Sequence, residues 1–155
     1  MGEASRAIAL RPYPGGDMRY DEERAEEEAG EYFENEAALR ALGRGAWEDV
    51  GTLAEDILSS PISPISPITR EEIASLQNTD ADAVLRGEWE RVRGEIAQQR
   101  DVASVEGVLR QGRPVRPPIV VSYPGGMWLL GGNTRLCVGV SMGFLLPVVR
   151  LSVRG

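Results

Sequence analysis

The chain contains no histidine and no lysine, so each of its 17 basic residues is an arginine. The missing histidine excludes a histidine general base, a Ser-His-Asp triad and histidine-ligated metal. The missing lysine excludes a Walker-type phosphate loop and Schiff-base chemistry. A single cysteine, Cys137, can form neither an internal disulfide nor a zinc cluster. No apolar run reaches the roughly 18 residues that a membrane-spanning helix needs. The opening MGEASRAIALRPYPGG has no basic start and no long apolar stretch, so it does not fit a secretory signal. It approaches a myristoylation pattern, but Arg6 stands where the hydroxyl residue is required. These absences point to a cytoplasmic protein with no membrane partner. They leave Asp, Glu, Ser, Thr, Tyr, Arg and backbone N–H groups as the means of any chemistry, with Mg²⁺ as a potential helper.

What is present is unevenly distributed. Residues 1–72 carry 17 acidic and 7 basic side chains, and residues 73–155 carry 7 and 10. The front is strongly acidic and the back mildly basic, which suggests either two functional zones or an acidic segment against a basic surface. Overall acidity argues against strong nonspecific nucleic-acid binding, which needs a basic footprint, without excluding a local one. A length of 155 residues suits one domain with an attached extension.

The pattern predicts an irregular arm over residues 1–17, a charged helix from Met18 to Leu42 and an amphipathic helix from Ala46 to Ser59. Pro61, Pro64 and Pro67 then recur every three residues beside Ile62, Ile65 and Ile68. In polyproline II geometry the three isoleucines share one face, which predicts an extended strap lying on the core. Thr69-Arg70-Glu71-Glu72 has the form of a capping box and predicts a helix from Arg70 to Gln77. A longer helix is expected from Asp80 to Arg100, weakened by Gly87 and Gly94, and another from Val102 to Gln111. PPIVVSY and MWLLGG flank Pro124-Gly125-Gly126 and predict a hairpin of strands Ile119–Tyr123 and Met127–Leu130, apolar enough to be buried on both faces. Asn133 is the N-cap candidate of a helix from Thr134 to Met142, with Gly143 as its C′ residue. LLPVVRLSV closes the pattern as a strand. The fold class expected is α+β, a small mixed sheet with packed helices plus a helical N-terminal extension. Residues 1–68 form the acidic extension and Pro-rich strap, and residues 69–155 the core.

The order of Pro118-Ile119-Val120-Val121, Trp128-Leu129-Leu130, Gly132-Asn133-Thr134-Arg135, Met142-Gly143 and Leu146-Pro147-Val148-Val149 resembles the ParB/sulfiredoxin superfamily over residues 95–153. In that family a "PIVV" strand, a hairpin strand, a Gly-x-x-Arg turn, a helix ending in "LG" and an "IPV" strand follow one another. The resemblance implies that the turn grips nucleotide phosphates, with ATP or CTP and Mg²⁺ as the ligands. Local chemistry agrees. A helix N-terminus attracts anions, Gly131 and Gly132 allow close backbone approach, Thr134 can donate a hydroxyl hydrogen bond, and Arg135 can fork onto phosphate oxygens. Against this, Asn133 could serve as a simple cap and Arg135 could point to solvent or to a carboxylate.

Asn133 stands where sulfiredoxins carry their catalytic cysteine, and Cys137 reads as buried packing, so sulfinic-acid reduction is not expected. Kinases of this superfamily use a carboxylate to orient or deprotonate the acceptor hydroxyl, which makes Glu71 and Glu72 the catalytic candidates. The same two residues could act only as capping-box and first-turn charges. The first functional expectation is therefore an ATP-dependent phosphotransferase acting on a hydroxyl, such as a modified base in DNA. A ParB-like nucleotide-switched DNA-binding protein or nuclease is the second. A non-catalytic protein that meets a partner, or a copy of itself, through its acidic half is the third.

Overall fold

The computed structural model describes residues 9–14, 65–123 and 125–152. The two helices expected over Met18–Leu42 and Ala46–Ser59 lie outside the described residues. Within them the chain is α+β. Its elements are β1 (Arg11–Pro12), β2 (Ser66–Pro67), α1 (Arg70–Ser75), β3 (Leu76–Gln77), α2 (Ala81–Leu85), α3 (Trp89–Ala97), α4 (Val102–Arg110), β4 (Ile119–Tyr123), β5 (Gly126–Gly131), α5 (Asn133–Ser141), β6 (Phe144–Leu145) and β7 (Pro147–Ser152).

The main sheet has the order β2-β7-β4-β5-β3 and is mixed. β4 and β5 form the predicted antiparallel hairpin. β7 lies parallel to β4, which requires a crossover, and α5 supplies it. The register between β4 and β5 slips near its end. Val120 faces Leu129 and Ile119 faces Gly131, so Leu130 is left as a one-residue bulge just before the turn. The alternating faces of these strands are both buried: Ile119, Val120, Val121, Val148 and Val149 have no exposed surface. This matches the near-continuous apolar runs of the sequence.

Val120, Leu129 and Val148 pack against Ile73 of α1, Ala83 and Val84 of α2, Val92 of α3, and Leu136, Cys137 and Val140 of α5. Val138, on another side of α5, joins Tyr13, Val102, Leu109, Val115, Phe144 and Leu146. Helix α5 is thus covered on several sides, and five successive residues from Leu136 to Val140 are buried. Gly139 makes this possible, since a Cβ there would lie 2.9 Å from Leu146 Cγ.

Three differences from the sequence pattern have physical causes. The helix expected over Arg70–Gln77 stops at Ser75, because Leu76–Gln77 extends to pair in parallel with Met127–Trp128 and Asn78 turns the chain at φ 66°. The helix expected from Asp80 to Arg100 is two helices broken at Gly87, which takes φ 91°. The strap is partly sheet: Ser66–Pro67 pairs antiparallel with β7, and Ile68 is fully buried in the core. Residues 66–68, grouped with the extension in the sequence pattern, are therefore tied to the core, Ser66–Pro67 through the sheet and Ile68 through its buried side chain.

Candidate functional site

The turn between β5 and α5 is built around Gly132. It takes φ 95°, in the left-handed region, and serves as the N-cap of α5. A Cβ on it would lie 2.8 Å from the Cα of Pro118, so only glycine lets the turn nest against the loop before β4. Asn133 is not the N-cap that the sequence suggests. It is the first helical residue, and its carboxamide oxygen accepts the Thr79 hydroxyl at 2.7 Å and the Cys137 thiol at 3.4 Å. Thr79 Oγ1 in turn accepts the Ala81 amide at 3.1 Å. Asn78 donates to the Leu129 carbonyl at 2.8 Å and fastens the same segment to β5.

With glycine as its N-cap, α5 receives no side-chain hydrogen bond from the capping position. The amides of Asn133, Thr134 and Arg135 precede the first intrahelical bond, which runs from the Leu136 amide to the Gly132 carbonyl at 2.9 Å. Thr134 is half-buried in this first turn. Arg135 is anchored on backbone: its Nη1 donates to the Arg116 carbonyl at 2.6 Å. The five residues Gly131, Gly132, Asn133, Thr134 and Arg135 therefore meet in one compact turn, walled by Pro118 and the Arg116 backbone.

The sequence that builds the turn is basic. From Gly107 to Gly155 it has no Asp or Glu, while Arg110, Arg113, Arg116, Arg135, Arg150 and Arg154 all fall there. Arg110, Arg113 and Arg116 are exposed. Cys137 lies below the turn with its thiol pushed up to about 11, chiefly by burial, so it is protonated at neutral pH and is no nucleophile.

Glu71 and Glu72 have different fates. Glu72 closes the capping box with Thr69: its Oε1 accepts the Thr69 amide at 2.9 Å, and Thr69 Oγ1 accepts the Glu72 amide at 3.1 Å. Arg150 of β7 also grips Glu72 in bidentate fashion, at 2.8 Å from Nε and 2.7 Å from Nη2. The Arg150 hydrogen bonds hold the Glu72 carboxyl below its ordinary value. The same guanidinium reaches Ser66 Oγ at 2.7 Å and the Pro67 carbonyl at 2.9 Å, tying strap, helix and strand together. Glu72 is thus held at β7, and β4 separates that strand from β5, which carries the turn. Glu71 is exposed in the first turn of α1.

Sequence reasoning missed Asn78 and Thr79. The available signal was the run Gln77-Asn78-Thr79-Asp80, a cluster of turn-forming side chains between two helical patterns. Among the described residues no group of three or more Asp, Glu or Cys side chains could hold a metal ion, and no helix is long and apolar enough to cross a membrane. No protein-family model, curated protein or solved structure matches the chain.

Proposed function

We propose that the turn Gly131–Arg135 binds the phosphates of a nucleotide, ATP or CTP, on a ParB/sulfiredoxin-like core. The observation that carries this reading is the start of α5. It opens on a left-handed glycine, which as N-cap supplies no side-chain hydrogen bond, and the asparagine that follows it is turned inward. A helix end of this kind favours a bound anion through its N–H groups and its dipole. The acid-free sequence from Gly107 onward brings no carboxylate of its own to repel a phosphate. The succession of hairpin, turn, helix ending at Gly143 and parallel strand β7 supports the superfamily resemblance.

The chemistry we assign is phosphoryl transfer to a hydroxyl. The acceptor oxygen forms a bond to the γ-phosphorus, the bond from that phosphorus to the β–γ bridging oxygen breaks, and the nucleoside diphosphate leaves. The acceptor proton passes to a carboxylate. Glu72 is poorly suited as that carboxylate, because Arg150 occupies both of its oxygens and lowers its basicity. Glu71, exposed and not gripped by Arg150, is the remaining candidate of the pair. No protein cage for Mg²⁺ is assigned; such an ion would arrive on the nucleotide's own phosphates. The arginines of residues 107–155 favour a second reading, a nucleotide-switched nucleic-acid binder.

A thermal-shift series tests the assignment. At a hundredfold excess over Kd, ATP or CTP with Mg²⁺ is expected to raise Tm by roughly 5–10 °C, and Arg135→Ala to abolish most of that rise. No rise with any nucleotide would rule the reading out. Transfer of labelled γ-phosphate to a hydroxyl, lost in Glu71→Gln with nucleotide binding retained, separates the phosphotransferase from the switch.

A further inference from the structure

The anion site is joined to a part of the chain more than a hundred residues away. The short arm of residues 9–14 lies along β6, with the Arg11 amide donating to the Gly143 carbonyl and the Tyr13 amide to the Leu145 carbonyl, both at 3.0 Å. Arg11 stacks over the Phe144 ring, 5.2 Å from its centroid, and Tyr13 meets the same ring edge-on at 5.1 Å. Tyr13 is only 5% exposed, and its hydroxyl donates to the Arg113 carbonyl at 2.7 Å. Arg113 begins the loop that leads to β4, and this loop walls the turn.

That loop transmits position well. Three of its six residues from Arg113 to Pro118 are proline, each with a fixed φ. Val115 in its middle is buried in the same cluster as Tyr13. The next carbonyl, that of Arg116, accepts the Arg135 guanidinium at 2.6 Å. Pro118 at its end packs against Gly132, and its carbonyl accepts the Val149 amide at 2.9 Å. One stiff segment is thus held at its start by Tyr13, while further along it holds Arg135 and abuts Gly132.

We infer that Tyr13 is a positioning residue for the anion site: its hydroxyl fixes the Arg113–Pro118 loop, and the loop sets the guanidinium of Arg135. The inference rests on the nucleotide reading for its functional consequence. Its structural half, the coupling of Tyr13 to Arg135, is measurable without a ligand.

Tyr13→Phe removes the hydroxyl and keeps the ring against Phe144, so the arm stays docked. Calorimetric titration with ATP-Mg²⁺ and CTP-Mg²⁺, well below Tm, is expected to show Kd raised by about three- to tenfold in Tyr13→Phe, the scale of one lost hydrogen bond. Amide exchange at Arg113, Val115 and Arg116 is expected to quicken, and the Arg135 guanidinium NMR signals to shift. Ile73→Val, buried in the other cluster, is the control: it is expected to lower Tm and leave Kd and the Arg135 signals unchanged. A wild-type Kd in Tyr13→Phe, or an equal loss of affinity in Ile73→Val, overturns the inference. Failure of the wild type to bind either nucleotide instead refutes the proposed function and removes the functional consequence. The guanidinium signals still decide the coupling, and unchanged signals in Tyr13→Phe overturn that as well.

Discussion

Gly132 is defined by an atom it does not have. Its φ of 95° would strain any other residue, and a Cβ would collide with Pro118 at 2.8 Å. The neighbour is proline backbone rather than the flexible end of a side chain, so it cannot yield cheaply. Gly132→Ala is expected to destabilise by about 2–4 kcal/mol, the sum of left-handed strain and overpacking, as measured by urea unfolding. The residue scale also marks where the sequence is readable. Thr69 and Glu72 announce their capping box because both partners lie within one helical turn. Asn133 reads as a cap, wrongly, because its true partner, Thr79, is 54 positions away and no local pattern encodes it. The turn residues themselves are visible in Gly131-Gly132-Asn133-Thr134-Arg135. That Arg135 rests on a backbone carbonyl, and that Glu72 is claimed by Arg150, are tertiary facts.

Among the elements, those that carry their own hydrophobic pattern are legible. Strand β4 covers the predicted Ile119–Tyr123, and α5 and α4 fall within a residue of their expected limits. The two-residue strands β1 and β3 are not legible, since each owes its extended form to a partner's edge rather than to its own composition; for β2 the proline repeat foretells an extended strap but not its pairing with β7. The break between α2 and α3 is signalled only as a weakness at Gly87. There φ is 91° and nothing lies within 4 Å of where a Cβ would sit, so backbone strain alone opposes substitution. Gly87→Ala is expected to cost about 1–2 kcal/mol, visible as a Tm lower by a few degrees with the packing intact. Gly139→Ala would differ in kind, because its new methyl meets Leu146.

At the scale of the whole molecule, the Glu72–Arg150 pair joins α1, β7 and the strap, and it makes stability depend on pH. The carboxyl is held below its ordinary value near 4.5, first by the Arg150 hydrogen bonds. Such a group stabilises the fold fully above the unfolded-state value, and this contribution is lost as pH falls through the lower folded-state value. The wild-type Tm is therefore expected to fall more steeply than that of Glu72→Gln as pH drops below about 4.5. Solvent still reaches both partners and screens them, so near neutrality Glu72→Gln is expected to be less stable by only about 1–2 kcal/mol. In acid the two should converge. Parallel melting curves from pH 7 to pH 3 check this; equal slopes would mean the pair carries no pH dependence.

The position of β7 between β2 and β4 has a temporal consequence. The β4–β5 hairpin can close from neighbouring residues as soon as it is made. Among the described residues β2, by contrast, has no sheet neighbour except β7, some eighty residues later, and the Glu72 carboxylate likewise waits for Arg150. During vectorial synthesis Ile68 of the strap must remain unsheltered by this sheet until the sheet's last strand emerges. Closing so long a loop is the slow entropic step, so the rate at which the chain matures is expected to be set by the arrival and insertion of a single six-residue strand.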